Sequence, residues 1–346
     1  MSVGAAEALP VRRLRGRGGR DLDLGILGFG GAPLGNYPRA IDDATAAATL
    51  DAAWDGGVRF FDTAPQYGLG LGERRMGAFL ARRPRGQFVL STKVGRLLVP
   101  CAPDERDARH FVDVPPCRIV YDYGYDGVMR SLEASRARLG IDRFDIVHCH
   151  DIDAGTDGTG PVIDERIGSF LDGGWRALEA LRAAGDIAAV GAGLNSWQVC
   201  QRLADLADFD LFLLAGRYTL LEQGALASFL PLCAARGIAV VVGGPFNSGI
   251  LATGVTAAAR YDYRAPPAEV IARVATIERI CRAHGVAMAA AALQFPLAHP
   301  AVVSVLAGAQ APAEVAGNLA LLRVPIPAAL WSDLKAAGLM RRDAPC

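Results

Sequence analysis

Cysteine is scarce and unpatterned in this chain, with seven residues, an odd number, and no C-x-x-C anywhere. That argues against a disulfide framework or a ready-made zinc cluster and predicts reduced thiols in a cytoplasmic setting; Cys101 and Cys117 could pair only by accident of a loop. Charge of one sign is missing too. The 36 basic and 36 acidic residues cancel, so no nucleic acid and no anionic membrane is expected as partner, and a small molecule is. The opening MSVGAAEALPVRRLRGRGGR is charged but has no apolar signal core. No apolar run reaches the roughly 18 residues of a membrane span. The expectation is a soluble, non-exported protein; nothing in the sequence specifies an oligomeric state.

What is present is a repeated alternation. Short runs rich in Val, Ile, Leu and Phe lie at 24–30, 58–62, 87–93, 144–150, 187–193, 210–215, 238–244 and 302–308. Between them stand segments at helical spacing, such as DDATAAATLDAAWDGG and YDGVMRSLEASRARLG, several ending at a glycine suited to a left-handed cap. Eight such units predict a parallel (β/α)8 TIM barrel, an α/β fold, as one domain over 1–346 with an N-terminal extension at 1–22. Two connections, 94–120 and 245–267, exceed ordinary loop length. They follow the third and seventh strands, on the face where barrels of this kind build their sites, and are expected to cover a ligand.

Polar residues that close strands are therefore the chemical candidates. Asp62 closes the second run, Tyr67 follows it, Lys93 closes the third and His150 the fourth. A phenol ionises near pH 10. It exchanges protons near neutrality only if a neighbour stabilises the phenolate, which Lys93 held by Asp62 would do. Each residue also has a plainer reading: an interior ion pair for Asp62 and Lys93, a loop aromatic for Tyr67, a hydrogen-bonded core histidine for His150. Their occurrence together at successive strand ends favours the catalytic one. His148 and His150 form an H-x-H pair on one face of a strand. A catalytic zinc typically needs a third protein ligand, and the fifth and sixth runs offer none, so no metal is expected. The glycines of GLGLG, Gly68 to Gly72, imitate a phosphate loop but follow the second strand and lead into a helix starting near Glu73; they are read as turning the chain.

The segments LGFGGAPLGN, FFDTAPQYG, STKVGR and FDIVHCHDID resemble the aldo-keto reductases in order and spacing from about Leu24 to Leu339. Within that family VGAGLNSWQVC and GGPFNSGILATG are similar to the branch of aldose 1-dehydrogenases, L-fucose dehydrogenase among them, and HCHDID to the related L-galactose dehydrogenases. The resemblance implies that Asp62, Tyr67, Lys93 and His150 are the catalytic tetrad. It also implies a nicotinamide cofactor held without a G-x-G-x-x-G fingerprint. By position its contacts would be Gly30, Asn195, the turn Pro245, Phe246, Asn247, Ser248 and Gly249 for the pyrophosphate, and Gly308, Gln310, Glu314 and Asn318.

The sequence departs from the family at several points. GLN replaces Ser-Asn at 193–195, Ala215 stands where a glutamine is usual, and the stacking tyrosine of the seventh strand is a glycine. LAGAQAPAEVAGN, 306–318, has no cation for a 2′-phosphate and carries Glu314 instead, which favours NAD and leaves NADP as the alternative. Glu314 equally suits the first turn of a helix.

The implied reaction is oxidation of the anomeric carbon of a sugar to an aldonolactone. The alternatives are oxidation of pyridoxal, another aldehyde-reducing activity, or a non-catalytic barrel that binds cofactor as a regulatory subunit. Substrate candidates at the rim are Asn36, Tyr37, Asp151 and Trp197, with Asp153 and Phe246 nearby.

Overall fold

The computed structural model of the chain describes residues 9–156 and 158–346. Twelve strands occur among them: β1 (Val11–Leu14), β2 (Leu22–Gly25), β3 (Leu27–Gly30), β4 (Phe60–Asp62), β5 (Val89–Val94), β6 (Arg96–Pro100), β7 (Cys117–Tyr121), β8 (Ile146–His150), β9 (Ala189–Leu194), β10 (Leu211–Ala215), β11 (Ala239–Gly243) and β12 (Val302–Gly308). Eight of these close a parallel barrel in the order β3, β4, β5, β8, β9, β10, β11, β12, with β12 pairing back onto β3. The expected barrel is therefore present, each strand within a few residues of its apolar run.

Strand alternation divides the apolar residues into two sets. Phe60, Ile146, Ala189, Leu211, Leu213, Val241, Val303 and Leu306 pack inside the barrel. Phe61, Leu90, Val147, Cys149, Val190, Phe212 and Val242 point out against the helices. Above the interior apolar layer the inward positions turn polar. Asp62, Ser91, Lys93, His148 and His150 are all buried.

The reading of 24–30 as one strand needs correction. Ile26 breaks it, and Leu22–Gly25 pairs antiparallel with Val11–Leu14 instead. This hairpin occupies the described part of the supposed extension; residues 1–8 lie outside the described residues. Leu14 and Leu24, both fully buried, join the interior cluster and plug the end of the barrel opposite the catalytic strand ends. The arginines of this basic stretch bond to the barrel itself. Arg12 donates to Val302 O (2.6 Å), Arg17 to Phe209 O, and Arg20 to Asp145.

The segment 94–120 is likewise more than a loop. Arg96–Pro100 and Cys117–Tyr121 form an antiparallel hairpin, a second departure from the expectation. The segment 245–267 holds one helical turn, Ile250–Thr253, and a bridge between Tyr261 and Arg264.

Of the outer helices, three frame the catalytic side: α1 (Asp43–Asp55), α2 (Leu71–Leu80) and α3 (Tyr125–Leu139). Asp42 caps α1 by accepting from Thr45 N (2.7 Å), satisfying one of the free N–H groups of its first turn. α2 begins at Leu71, two residues before the expected start, and its fully buried Glu73 receives Arg138 of α3 at 2.5 Å.

Candidate active site

Lys93 Nζ lies 2.5 Å from Asp62 Oδ2 and donates to Thr63 O at 3.0 Å. Ser91 donates to the other carboxylate oxygen of Asp62 at 2.7 Å, so β4 and β5 fix the pair from two sides. The ammonium sits 4.7 Å from the centre of the Tyr67 ring, and the His150 ring meets that ring edge-on at 6.0 Å. The four strand-end residues singled out above thus come together at the mouth of the barrel.

Their electrostatics follow from burial and charge. Burial raises the Tyr67 phenol above its ordinary value, and Lys93 pulls it back without cancelling the rise. The expectation that Lys93 would leave the phenol more acidic than usual is thereby reversed for the protein by itself. For Lys93, burial alone would lower the pKa; Asp62 and Tyr67 outweigh it, and the amine stays charged. Burial drives His148 and His150 well below the usual histidine range, so both are neutral near pH 7.

Glycine makes room for this assembly at two places. A side chain at Gly191 on β9 would fall on Nδ1 of His148, so only glycine lets that imidazole lie inside the barrel. The loop that carries Tyr67 packs so tightly on the loop after β3 that a Cβ on Gly35 would lie 2.5 Å from the Tyr67 carbonyl carbon. Gly68 at φ +62° and Gly70 at φ +89° complete the turn, in agreement with the reading of GLGLG as chain-turning.

Around the Tyr67 ring is an aromatic group from three loops. Phe111 lies 6.4 Å from it, Tyr37 lies 6.0 Å from Phe111 and 5.5 Å from Tyr263, and His110 stacks on Tyr263 at 4.8 Å and 9°. Sequence reasoning found Tyr37 but missed His110, Phe111 and Tyr263, which sit in polar loop stretches without any periodic pattern to mark them.

The other predicted residues are placed as follows. Asn36 is buried and spends its amide on Asp113 O, Ile41 N and Arg75. Asp151 follows His150 at φ +39°, binds Arg96 and accepts from Asn195 Nδ2 at 3.1 Å. Asp153 is buried near Asp151, and its carboxyl is raised to about 6 by burial and by that neighbour. Trp197 opens the helix Trp197–Leu206 and borders a groove of about 530 Å³ with Gln201, Arg202 and Ser228. Asn247 is bonded to Gly216 O and Thr219, and the N–H groups of Asn247 and Gly249 close a turn on Gly244 O and Phe246 O. Ser248 Oγ accepts from Tyr263 N, while Phe246 packs on the outer core. Gln310 ties the last loop to Pro33 O and Arg39 O. Glu314 accepts from Gln310 N at 2.7 Å and lies 3.7 Å from Arg39. Asn318 is half-buried on the helix Pro312–Leu321.

Small residues line the barrel mouth beside the tetrad. The inward positions at the tops of β9, β10 and β11 are Gly193, Ala215 and Gly243, none larger than a methyl, while at the seam where Gly308 of β12 pairs with Gly30 of β3 the ring of Pro33 packs against Gly308. The wall opposite carries Lys93, Tyr67 and His150, so the space left by small residues adjoins the proton-transferring groups. Small side chains are what a flat nicotinamide ring would need at this position. Asn195, exposed at the end of β9, offers amide chemistry at its edge.

Comparison with known proteins agrees with this geometry. The chain is 42% identical to pyridoxal 4-dehydrogenase of Microbacterium luteolum, over 95% of this chain and 98% of that one. It is 41% identical to D-threo-aldose 1-dehydrogenase of a Pseudomonas species, over 92% and 95%. The solved structure of glycerol dehydrogenase from Gluconobacter oxydans superposes with a TM-score of 0.72 at 21% identity, over 96% and 98%, which bears on the fold. The sequence pattern of the Aldo/keto reductase family matches residues 26–338. The chain belongs to the aldo/keto reductase family and is a nicotinamide-dependent oxidoreductase.

Proposed function

We propose that the protein oxidises the anomeric carbon of a cyclic aldose, of the L-fucose, D-arabinose or L-galactose type, to the aldonolactone, with NAD preferred over NADP. The observation that carries the reading is the position of Lys93, bound to Asp62 and Thr63 O while its ammonium faces Tyr67.

In this reading the oxidised nicotinamide supplies the acceptor for the hydride that leaves C1. Tyr67 takes the proton of the anomeric hydroxyl, and the C–O bond becomes the lactone carbonyl. Lys93 stabilises the phenolate as charge develops, a preorganised contact that needs no movement because Asp62 and Ser91 already fix it. Neutral His150 offers a ring N–H to the same substrate oxygen. The aromatic group over Tyr67 excludes water from the reacting carbon.

The names of the two relatives above 40% identity, both dehydrogenases, support the oxidative direction. The preference for NAD is supported by the absence of Lys and Arg from 306–318 and by Glu314. Arg39 reaches this edge from the first loop, but it already faces the Glu314 carboxylate. Seven free cysteines among the described residues are in keeping with a reducing, cytoplasmic location.

Pyridoxal is the second reading, and the rings of Tyr37, Phe111, His110 and Tyr263 favour it, since they suit a flat heteroaromatic ring. Its aldehyde closes on the neighbouring hydroxymethyl group to a cyclic hemiacetal, so the bond oxidised is of the same kind. L-Fucose, D-arabinose, L-galactose and pyridoxal, assayed with NAD and with NADP at the reduced-cofactor absorbance band, test both readings. Turnover of an aldose with NAD at the highest kcat/KM is expected; turnover of pyridoxal alone would transfer the proposal to the second reading, and turnover of none would sink both.

A further inference from the structure

Arg96 is among the largest fully buried side chains of the protein, 1% exposed, three residues beyond Lys93 at the start of β6. A guanidinium so placed needs a reason. Its Nη2 donates to Asp151 Oδ2 at 2.8 Å, and that same oxygen lies 3.6 Å from His150 Nε2. Arg96 Nε and Nη1 have no partner, and Asp151 is its one anionic partner among the described residues. His150 Nδ1 is also buried without a hydrogen-bond partner, whereas Nε2 is the ring nitrogen on the Asp151 side and is the one taken to carry the proton.

The consequence lies in competition for one carboxylate. An unpaired carboxylate beside an imidazole draws a proton onto it and then binds the N–H it has charged. Such a histidine would be cationic and turned toward Asp151 rather than toward substrate. Here Arg96 occupies the contested oxygen, leaving His150 Nε2 beyond hydrogen-bond reach of it. The backbone reinforces the arrangement. Tyr123 donates its hydroxyl to the carbonyls of both His150 and Asp151, at 2.9 and 3.1 Å, and Asp151 N donates to Gly193 O.

We propose that Arg96 is a positioning residue that holds the Asp151 carboxylate off His150, keeping the imidazole uncharged and its Nε2–H available to the substrate oxygen. The inference takes from the proposed function only that His150 meets substrate.

The other groups that face His150 are accounted for. Lys93 on β5, His148 two residues earlier on β8, Arg109 from the 94–120 segment and the Tyr67 ring surround it, and Asp62 acts on it through Lys93. Burial and then the positive charge of Arg96 oppose its protonation, with Lys93, His148 and Arg109 behind them. Asp151, at 3.6 Å, is the one acidic group within ion-pairing distance of the ring among the described residues, and so the one placed to favour it most directly.

The test is an NMR titration of histidine-labelled full-length protein, read beside the pH profile of kcat/KM. In Arg96→Met the His150 titration should move up by about 1–3 pH units, the range expected for a carboxylate released at this distance, and the acid limb of kcat/KM should move with it. Arg96→Gln, which keeps a donor and much of the volume, should move it in the same sense and serves if the methionine variant does not fold. Arg96→Lys should stay near the parent, and Asp151→Asn added to Arg96→Gln should restore the parent titration. A folded Arg96→Gln protein with an unmoved His150 titration, or a loss of rate equal at every pH, would overturn the proposal. Because the titration is read without turnover, its outcome stands apart from whether an aldose is the substrate.

Discussion

Lys93 Nζ sits 4.7 Å from the centre of the Tyr67 ring while bound to Asp62 at 2.5 Å, so the charge that stabilises the phenolate is itself anchored by a buried carboxylate. Lys93 donates to Asp62 and Thr63 O, which leaves the phenol as the group assigned to exchange a proton with substrate. Tyr67→Phe should therefore cost roughly 10²- to 10⁴-fold in kcat and leave cofactor affinity within about a factor of two of the parent. Steady-state kinetics with a fluorescence titration of reduced cofactor checks both halves. A variant with near-parental turnover would remove Tyr67 from the chemistry.

The same geometry sets a pH dependence. Burial leaves the Tyr67 phenol above its usual value, so at neutral pH most of it is protonated. Oxidation requires a base at this position, and its rate should climb by up to about tenfold per pH unit into the alkaline range, while reduction, which uses the protonated phenol, stays level until the phenol itself ionises. Rates of oxidation that stay flat from about pH 7 to 9, with substrate saturating, would contradict this assignment.

A smaller change tests how closely Tyr67 is held. Adding a methyl in Gly35→Ala would place it 2.5 Å from the Tyr67 carbonyl carbon, a backbone atom that cannot rotate away, and the loop must move. Overpacking of this kind typically costs about 1–3 kcal/mol, and a displacement of about 1 Å at a catalytic group can cost about 10²-fold in rate. The expected signature is a large fall in kcat with a modest fall in thermal midpoint. Unchanged kcat would mean that the loop yields elsewhere.

Asp153 gives a stability prediction with a definite sign. Its folded-state pKa is raised to about 6 from 3.8, by burial first and by Asp151 second. The folded protein thus holds this proton more tightly than the unfolded chain, and stability declines as pH rises from about 4 through 6, with the full penalty above that window. Asp153→Asn should remove the penalty and be more stable than the parent at pH 8, by at most about 3 kcal/mol, with the advantage shrinking toward about pH 4. Urea denaturation at several pH values measures it. A pH-independent difference between the two proteins would place the cause elsewhere.

The barrel was readable because its strands are buried on both faces and so appear as short, largely apolar runs, three of which carry a charge or an imidazole at their C-terminal end. Asp62, Lys93 and His150 could be found that way, since a charge or imidazole terminating such a run has little else to do. The hairpin Arg96–Pro100 with Cys117–Tyr121 could not, because it is half-exposed, mixes charge with apolar residues, and lies among prolines. Arg96 was in plain view in STKVGR, yet its burial depends on Asp151, some fifty residues on, and no local pattern carries that information. The role of the basic N-terminal stretch was hidden for a related reason. Its arginines serve backbone carbonyls and carboxylates at the closed end of the barrel, contacts that exist only after the distant strands have come together.

That ring closure reaches the chemistry as well. Gly308, at the end of the last barrel strand, pairs with Gly30, at the end of the first, and this seam, with Pro33 packed on Gly308, borders the small-residue positions beside the tetrad. An intermediate with an unsealed barrel would lack one border of the place proposed for the nicotinamide. Cofactor capture would thus report on completion of the fold and, by favouring the sealed ring through mass action, help to keep it shut.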